Sequence, residues 1–473
     1  MLTIADLLEA LSGQRPAWAD QPFTDVIIDS RQAKPGSLFF AFKGERSNGH
    51  DFIAQVFAHR SYVAVIQEDL SDRFDVIDLR KPLDMQEIPR KDLPFCILVE
   101  DCLEALQTAA RFWRRKFSPR VIGITGSVGK STTKELTAAV LSQRFPTLKN
   151  EGNLNNEIGL PLTLFQLEKK HKKAVLEMGF YVPGEITLLC DIALPQVGVI
   201  TNIGMVHAER AGSQEVIARG KAELIQALPP APEGIAILNI DDPLVRKMAE
   251  LTQARIFYYG LDPAADLWAD HVEGLGLDGI RFRLHLNHEV LYLRVPLIGR
   301  HSVHTALRAT AVGLLEGLTW QEIVNGLRSL KSQLRLSTVR TKSGALVLDD
   351  TYNASPQSTM AALNLLAEFD GNKIAILGDM LELGQYEHYG HKIVGLRAAE
   401  VVDELITVGE RAKIIAEIAM QSGLSSKKII SFDQCDEVIA YISDRLTEND
   451  ILLIKGSRGM HLDEVVSALE AVE

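Results

Sequence analysis

The run Arg120-Val121-Ile122-Gly123-Ile124-Thr125-Gly126-Ser127-Val128-Gly129-Lys130-Ser131-Thr132 decides how this chain is read. Its first half predicts a buried strand and its end enters a helix-forming segment, the setting in which backbone N–H groups at a helix N-terminus hold phosphate oxygens. The spacing departs from the strict phosphate loop: Gly123 stands one residue early and Ile124 occupies the usual first-glycine position, while Gly126 still supplies a flexible turn. Lys130 is expected to reach the β- and γ-phosphates of ATP, and a hydroxyl of Ser131 or Thr132 to ligate Mg2+. The ATP-binding candidates here are Thr125, Gly126, Ser127, Val128, Gly129, Lys130, Ser131 and Thr132.

Outward from this loop, strand-like runs at Ala174-Val175-Leu176-Glu177 and Val197-Gly198-Val199-Ile200-Thr201 alternate with helical patterns and predict a parallel sheet covered by helices. The same style returns at Leu346-Val347-Leu348, Lys373 to Leu377, Glu404 to Val408 and Ile451 to Ile454, a second open α/β domain. Before the loop, Val26-Ile27-Ile28 and Ser37 to Phe42 are short strands between Pro and Gly turns. The expectation is an α/β protein of three domains: a small α/β N-terminal domain over 1–103, a central P-loop parallel-sheet ATPase domain over 104–333 and a C-terminal Rossmann-like α/β domain over 334–473. A chain of 473 residues is too long to be built comfortably around one core.

With 46% hydrophobic and 24% charged residues the composition is that of an ordinary soluble protein, and a net charge of -12 disfavours a nucleic-acid surface. Phe112-Trp113-Arg114-Arg115-Lys116-Phe117 interleaves aromatics and cations, but at the end of a predicted helix it reads as a partly buried amphipathic face. No apolar stretch approaches a membrane span and Met1 to Asp6 does not open a signal peptide, so a cytoplasmic protein without membrane insertion is expected. Cys96, Cys102, Cys190 and Cys435 are scattered without a Cys-x-x-Cys pair, as in a reducing compartment, and receive no role.

A phosphate loop alone fits a kinase, a GTPase or a motor. Further segments narrow the choice: Asn150-Glu151-Gly152-Asn153-Leu154-Asn155-Asn156-Glu157-Ile158-Gly159, Leu176-Glu177-Met178-Gly179, Thr201 to Glu209, and Gly212-Ser213 through Gly220-Lys221-Ala222-Glu223. In order and spacing they resemble the Mur ligase family. Glu177 and His207, each after a strand, are ligand types that could hold magnesium near a γ-phosphate. The resemblance implies a metal set of Ser131, Glu177, His207 and a carbamylated Lys221, with Lys130, Glu177, His207 and Lys221 as the catalytic group. It also implies that Asn239, in Asn239-Ile240-Asp241-Asp242, lies near the adenine and that His301 contacts ATP. His301 sits in Gly299-Arg300-His301-Ser302-Val303-His304-Thr305-Ala306-Leu307, similar to the family's Gly-x-His-Asn-x-x-Asn-Ala-Leu but with Ser302 and Thr305 in place of both asparagines.

Asp349-Asp350-Thr351-Tyr352-Asn353-Ala354-Ser355-Pro356 is similar to the Asp-Asp-x-Tyr-Asn-Ala-Asn-Pro signature of the family's D-alanyl-D-alanine-adding branch, with Ser355 replacing an asparagine. Gly378-Asp379-Met380-Leu381-Glu382-Leu383-Gly384 and Lys455-Gly456-Ser457-Arg458 match its other landmarks. The resemblance implies dipeptide contacts from Asp350, Tyr352 and Asn353, and makes Arg335 an ATP contact; Lys455 is a further candidate for phosphate or carboxylate. In the N-terminal segment, Asp29-Ser30-Arg31 and Pro35 to Lys43 resemble the uridine-nucleotide site, so Ser30, Arg31 and Lys43, with Asn153 and Asn156, are candidates for the UDP-linked substrate.

The function so implied is ATP-dependent amide formation between UDP-N-acetylmuramoyl-tripeptide and D-alanyl-D-alanine through an acyl phosphate, by a monomer with no nucleic-acid partner. The nearest rival, a sister ligase adding the third stem-peptide residue, lacks support because its Asp-Asn-Pro-Arg signature is absent. A non-catalytic nucleotide-binding module, suggested by Ser302, Thr305 and Ser355, conflicts with the intact Lys130, Glu177, His207 and Lys221 set.

Overall fold

The computed structural model describes residues 1–44, 47–80, 88–204, 212–329 and 337–470. They divide into two compact units: Met1–Gly123 with Phe145–Gly179 and Glu185–Gln196, and Ile124–Arg144 with Phe180–Gly184 and Val197–Glu473.

In the first unit, five parallel strands stand in the order Val26–Ile27, Leu38–Phe40, Val63–Ile66, Phe95–Leu98 and Val76–Asp78. The inner strands are apolar at every position, as a sheet covered on both faces requires. Phe39, Ile53, Val56, Ala64 and Leu98 are among the residues of one core beneath it. Helix Cys102–Arg115 begins at Asp101, whose carboxylate accepts from the N–H groups of Leu103 and Glu104. At its end two of the three cations of the Phe112 to Phe117 segment are tied into the protein, and Arg115 is exposed. Arg114 is buried and donates to the carbonyls of Ala193, Phe117 and Pro119, while Lys116 meets Asp6 and lies over the Phe112 ring.

In the second unit, strands Val197–Ile200, Ile235–Asn239, Arg255–Gly260 and Leu267–Gly274 are parallel neighbours. To this expected parallel sheet the structure adds an antiparallel edge. Ile280–Leu286 and Glu289–Val295 extend it as an antiparallel meander, with Ile280, Phe282 and Leu284 buried and Arg281 exposed. Helix Lys130–Leu141 packs against helices Val303–Leu315 and Trp320–Ser329, closely enough that a Cβ on Gly326 would lie 2.4 Å from the Val140 Cα.

The unit also contains a six-stranded sheet in the order Ser337–Arg340, Leu346–Asp349, Asp450–Lys455, Asn372–Gly378, Glu404–Val408 and Ile429–Phe432. Only its first pair is antiparallel. Helices Pro356–Leu366, Glu387–Val401 and Lys413–Gln421 cover one face, and Cys435–Ile442 and Asp463–Leu469 the other, the doubly wound arrangement expected of a Rossmann-like domain. The expected α/β class with sheets dominated by parallel strands is thus observed.

Candidate active site

The strand Arg120–Thr125 ends where the sequence places it, and the chain then turns through Gly126, at φ +146°. A Cβ there would stand 1.8 Å from the Thr201 Oγ1, so glycine is required twice over. Gly129, at φ +82°, forms the N-cap of helix Lys130–Leu141 and turns the helix's positive end toward the loop. Asn202 clamps the turn: its Oδ1 accepts from the Val128 N–H and its Nδ2 donates to the Val128 carbonyl, both at 3.1 Å. Ser127 Oγ accepts from the Gly204 N–H at 2.8 Å. The Lys130 ammonium donates to the carbonyls of Gly126 at 3.0 Å and Ser127 at 3.3 Å, lying along the loop whose phosphates it is expected to meet.

Lys221, on helix Gln214–Gln226, is buried and donates to the same Gly126 carbonyl at 2.9 Å, with its Nζ 4.9 Å from the Phe180 ring centroid. The structure thus brings Lys130 and Lys221 to one backbone oxygen although the chain separates them widely.

A cavity of about 200 Å³ opens beside the loop. Ser127 to Thr132 form one side, His301, Ser302 and Thr305 another, and Asp350, Tyr352, Asn353 and Lys455 a third. His301 is exposed at the cavity wall. The protein packed around its ring, then the charges of His304 and Arg308, moves its imidazole below the ordinary histidine range. Asn239 does not line the cavity. Its Nδ2 donates to the Thr201 carbonyl at 3.3 Å and its Oδ1 accepts from the Asp241 N–H at 3.1 Å, which makes it a fold-stabilising turn residue.

The three C-terminal signatures meet at the carboxyl ends of neighbouring strands. Lys455, only 2% exposed, donates to the Asp350 carboxylate and to the Asn353 carbonyl, each at 2.7 Å. Its ammonium is therefore a strut of the Asp350 to Asn353 turn. Ser457 Oγ accepts from the Leu381 N–H at 2.8 Å, and the buried Asp379 accepts from the Ala412 N–H at 2.7 Å. Tyr352 is 40% exposed and Asn353 also faces solvent, as residues awaiting a ligand do. Ser355 caps helix Pro356–Leu366 in a reciprocal capping box with Ser358, a task serine and asparagine share, so its replacement of the family asparagine preserves the turn.

In the first unit, Glu177 ends strand Lys173–Glu177 fully buried, and its Oε1 accepts from Asn155 Nδ2 at 2.8 Å. Asn156 Oδ1 accepts from the Gly159 N–H at 2.8 Å and so helps start helix Gly159–Leu164, while Asn153 is exposed. Ser30, Arg31 and Lys43 follow the first two parallel strands at their carboxyl ends, where open α/β sheets bind ligands. Arg31 is paired with Asp29 at 2.6 Å, and Lys43 stands 4.0 Å from Glu68. His207 and Arg335 lie outside the described residues.

Asn155, Asn202 and Arg308 escaped the sequence reading as site residues. The first two lie inside the motif segments, and an amide within such a segment was the available signal; for Arg308 none existed.

Three family descriptions match the chain: Mur ligase middle domain over residues 124–313, Mur ligase glutamate ligase domain over 334–458, and Mur ligase family catalytic domain over 22–114. The UDP-N-acetylmuramoyl-tripeptide--D-alanyl-D-alanine ligase of Bacillus subtilis is 34% identical, covering 99% of this chain and 98% of its own; that of Escherichia coli is 32% identical over 99% and 98%. Among solved structures, MurF from Acinetobacter baumannii superposes with a TM-score of 0.82 at 30% identity, covering 98% of each chain. MurF from Thermotoga maritima in complex with ADP gives 0.78 at 27% identity, over 94% of this chain and 96% of that one. With family matches spread over most of its length and relatives of this identity over nearly all of it, the chain belongs to the Mur ligase family.

Proposed function

We propose that this protein is the ATP-dependent ligase that joins D-alanyl-D-alanine to UDP-N-acetylmuramoyl-tripeptide. The observation that carries the reading is the cavity with the phosphate loop on one side and the Asp350 to Asn353 turn on another, in a chain similar end to end to ligases of that name. A carboxylate is a poor electrophile. The tripeptide's terminal carboxylate oxygen therefore bonds to the γ-phosphorus of ATP as the bridging oxygen departs with ADP. The dipeptide amine then attacks the acyl carbon, phosphate leaves, and the amine loses a proton.

In this reading Lys130 exchanges its loop carbonyls for phosphate oxygens, and Asp350, Tyr352 and Asn353 receive the dipeptide. Ser30, Arg31, Lys43, Asn153 and Asn156 receive the UDP-linked substrate. Ser131, Glu177, His207 and a carbamylated Lys221 are oxygen and nitrogen donors suited to magnesium, which when bound supplies charge neutralisation at the phosphates. Glu177, at a strand end with its carboxylate oriented by Asn155, is a hard oxygen ligand of the kind that assignment uses. The three domains take the bounds 1–103, 104–333 and 334–473. We place it as a monomer in the cytoplasm, where ATP and UDP-activated sugars are made; among the described residues no helix is long and apolar enough to cross a membrane.

The deciding experiment is phosphate release from ATP with UDP-N-acetylmuramoyl-tripeptide, with and without D-alanyl-D-alanine, followed by the product mass. Dipeptide-dependent release yielding the pentapeptide supports the reading, and release supported only by a free amino acid overturns it.

A further inference from the structure

Arg308 is 3% exposed on helix Val303–Leu315, and its guanidinium lies against the phosphate loop: a Cβ on Gly129 would stand 3.2 Å from Nη2. Its partners are all neutral. Nε donates to Thr133 Oγ1 at 2.9 Å, Nη1 to the Tyr259 hydroxyl at 3.1 Å and Nη2 to Thr305 Oγ1 at 2.8 Å, with the Tyr259 ring 5.6 Å away. Thr133 passes its own hydrogen to the Gly129 carbonyl at 2.7 Å, so the guanidinium is one bond removed from the loop backbone. Tyr259 is held in turn by the carbonyls of Ile200 and Thr201, both at 3.0 Å.

A guanidinium taken out of water is costly unless an anion compensates it. Among the described residues no carboxylate bonds or pairs with Arg308. The loop beside it is built for polyanions. Moreover, Thr305, the residue Arg308 holds, stands where the family signature has an asparagine, and Ser302, the second such replacement, turns its hydroxyl to the Ile298 carbonyl at 2.7 Å.

We infer that Arg308 is a positioning residue for the nucleotide: a cation built beneath the phosphate loop whose counter-ion is the bound polyphosphate. The inference rests on the ATP-binding reading above.

The test is calorimetric binding of ADP to the full chain, comparing wild type, Arg308→Gln and Arg308→Lys, with thermal unfolding in the absence of nucleotide. Arg308→Gln is expected to bind about tenfold more weakly and to unfold no earlier than wild type, while Arg308→Lys stays within about threefold. Equal losses in both variants, or wild-type affinity in Arg308→Gln, overturns the inference. Should Arg308→Gln not fold, Arg308→Met is the second variant; ADP affinity about tenfold below wild type supports the inference, and wild-type affinity overturns it. A wild type that binds no nucleotide brings down the ATP reading itself, whereas a wild type that binds beside an unaffected Gln variant removes only the role of Arg308.

Discussion

The side-chain amide of Asn155 donates to the Oε1 of Glu177 at 2.8 Å, while Asn150 brackets the same residue's backbone through its N–H at 2.9 Å and its carbonyl at 3.1 Å. Glu177 is thereby fixed in rotamer and position. In the proposed reading Glu177 is a magnesium ligand, and removing a partner that orients such a ligand costs about 10- to 100-fold in activity or metal affinity. Asn155→Ala is expected to lose activity in that range, with added magnesium restoring part of it. Steady-state rates at varied magnesium check this, and an unchanged rate would separate Glu177 from the metal.

Lys221 donates to the Gly126 carbonyl through Nζ, and conversion to a carbamate would leave one N–H there while putting an anion in place of the cation at the same depth. The protein supplied with 13C-bicarbonate and nucleotide is expected to show a carbamate carbon signal that Lys221→Arg lacks. A wild-type spectrum without that signal would leave Lys221 as a positioning ammonium.

Lys455 is buried while Asp350 faces the cavity and keeps some contact with water, so removing the ammonium costs the hydrogen bonds that brace the turn. Lys455→Met is expected to cost about 1–3 kcal/mol, read by denaturant unfolding. Lys455→Arg retains the charge and is expected to keep most of the stability while raising the KM for the dipeptide through a displaced Asn353. Unchanged stability in the Met variant would contradict the strut.

At the N-terminus, burial works against ionisation of Asp6, but hydrogen bonds from Lys116, Arg15 and Thr3 outweigh it and hold the carboxyl at about 2. Because the folded value lies below the ordinary 3.8, the stabilisation is complete above 3.8 and disappears as pH falls through 2. Asp6→Asn is expected to lower stability near neutrality by about 2 kcal/mol and to flatten its loss between those pH values. Unfolding curves across the acid range decide it.

The strand before the phosphate loop and those of the C-terminal sheet were legible because unbroken apolar runs bounded by Gly, Asp or Asn leave little else for the backbone to do. The meander from Leu267 to Val295 went unread even though Ile280, Phe282 and Leu284 alternate with arginines. Its period-2 signal was present, but the alternating helices and strands around it favoured a parallel expectation. In the site, the Asp349 to Pro356 segment was legible as the place of Asp350, Tyr352 and Asn353, while the capping role of Ser355 went unread. The strut of Lys455 and the burial of Arg308 were not legible, because each depends on partners far away in the chain, and a lone lysine or arginine in a sequence is most often a surface charge.

The strand Asp450–Lys455 is inserted between Leu346–Asp349 and Asn372–Gly378, both of which are made before it. During synthesis, then, the two earlier strands emerge with a gap between them. The wall carrying Asp350 and Asn353 has no Lys455 to hold it until the ribosome has released about a hundred further residues. A nascent chain can acquire its phosphate loop early but the braced Asp350 to Asn353 turn only late, so a premature stop upstream of Asp450 yields a product that keeps the loop sequence and lacks the centre of this sheet.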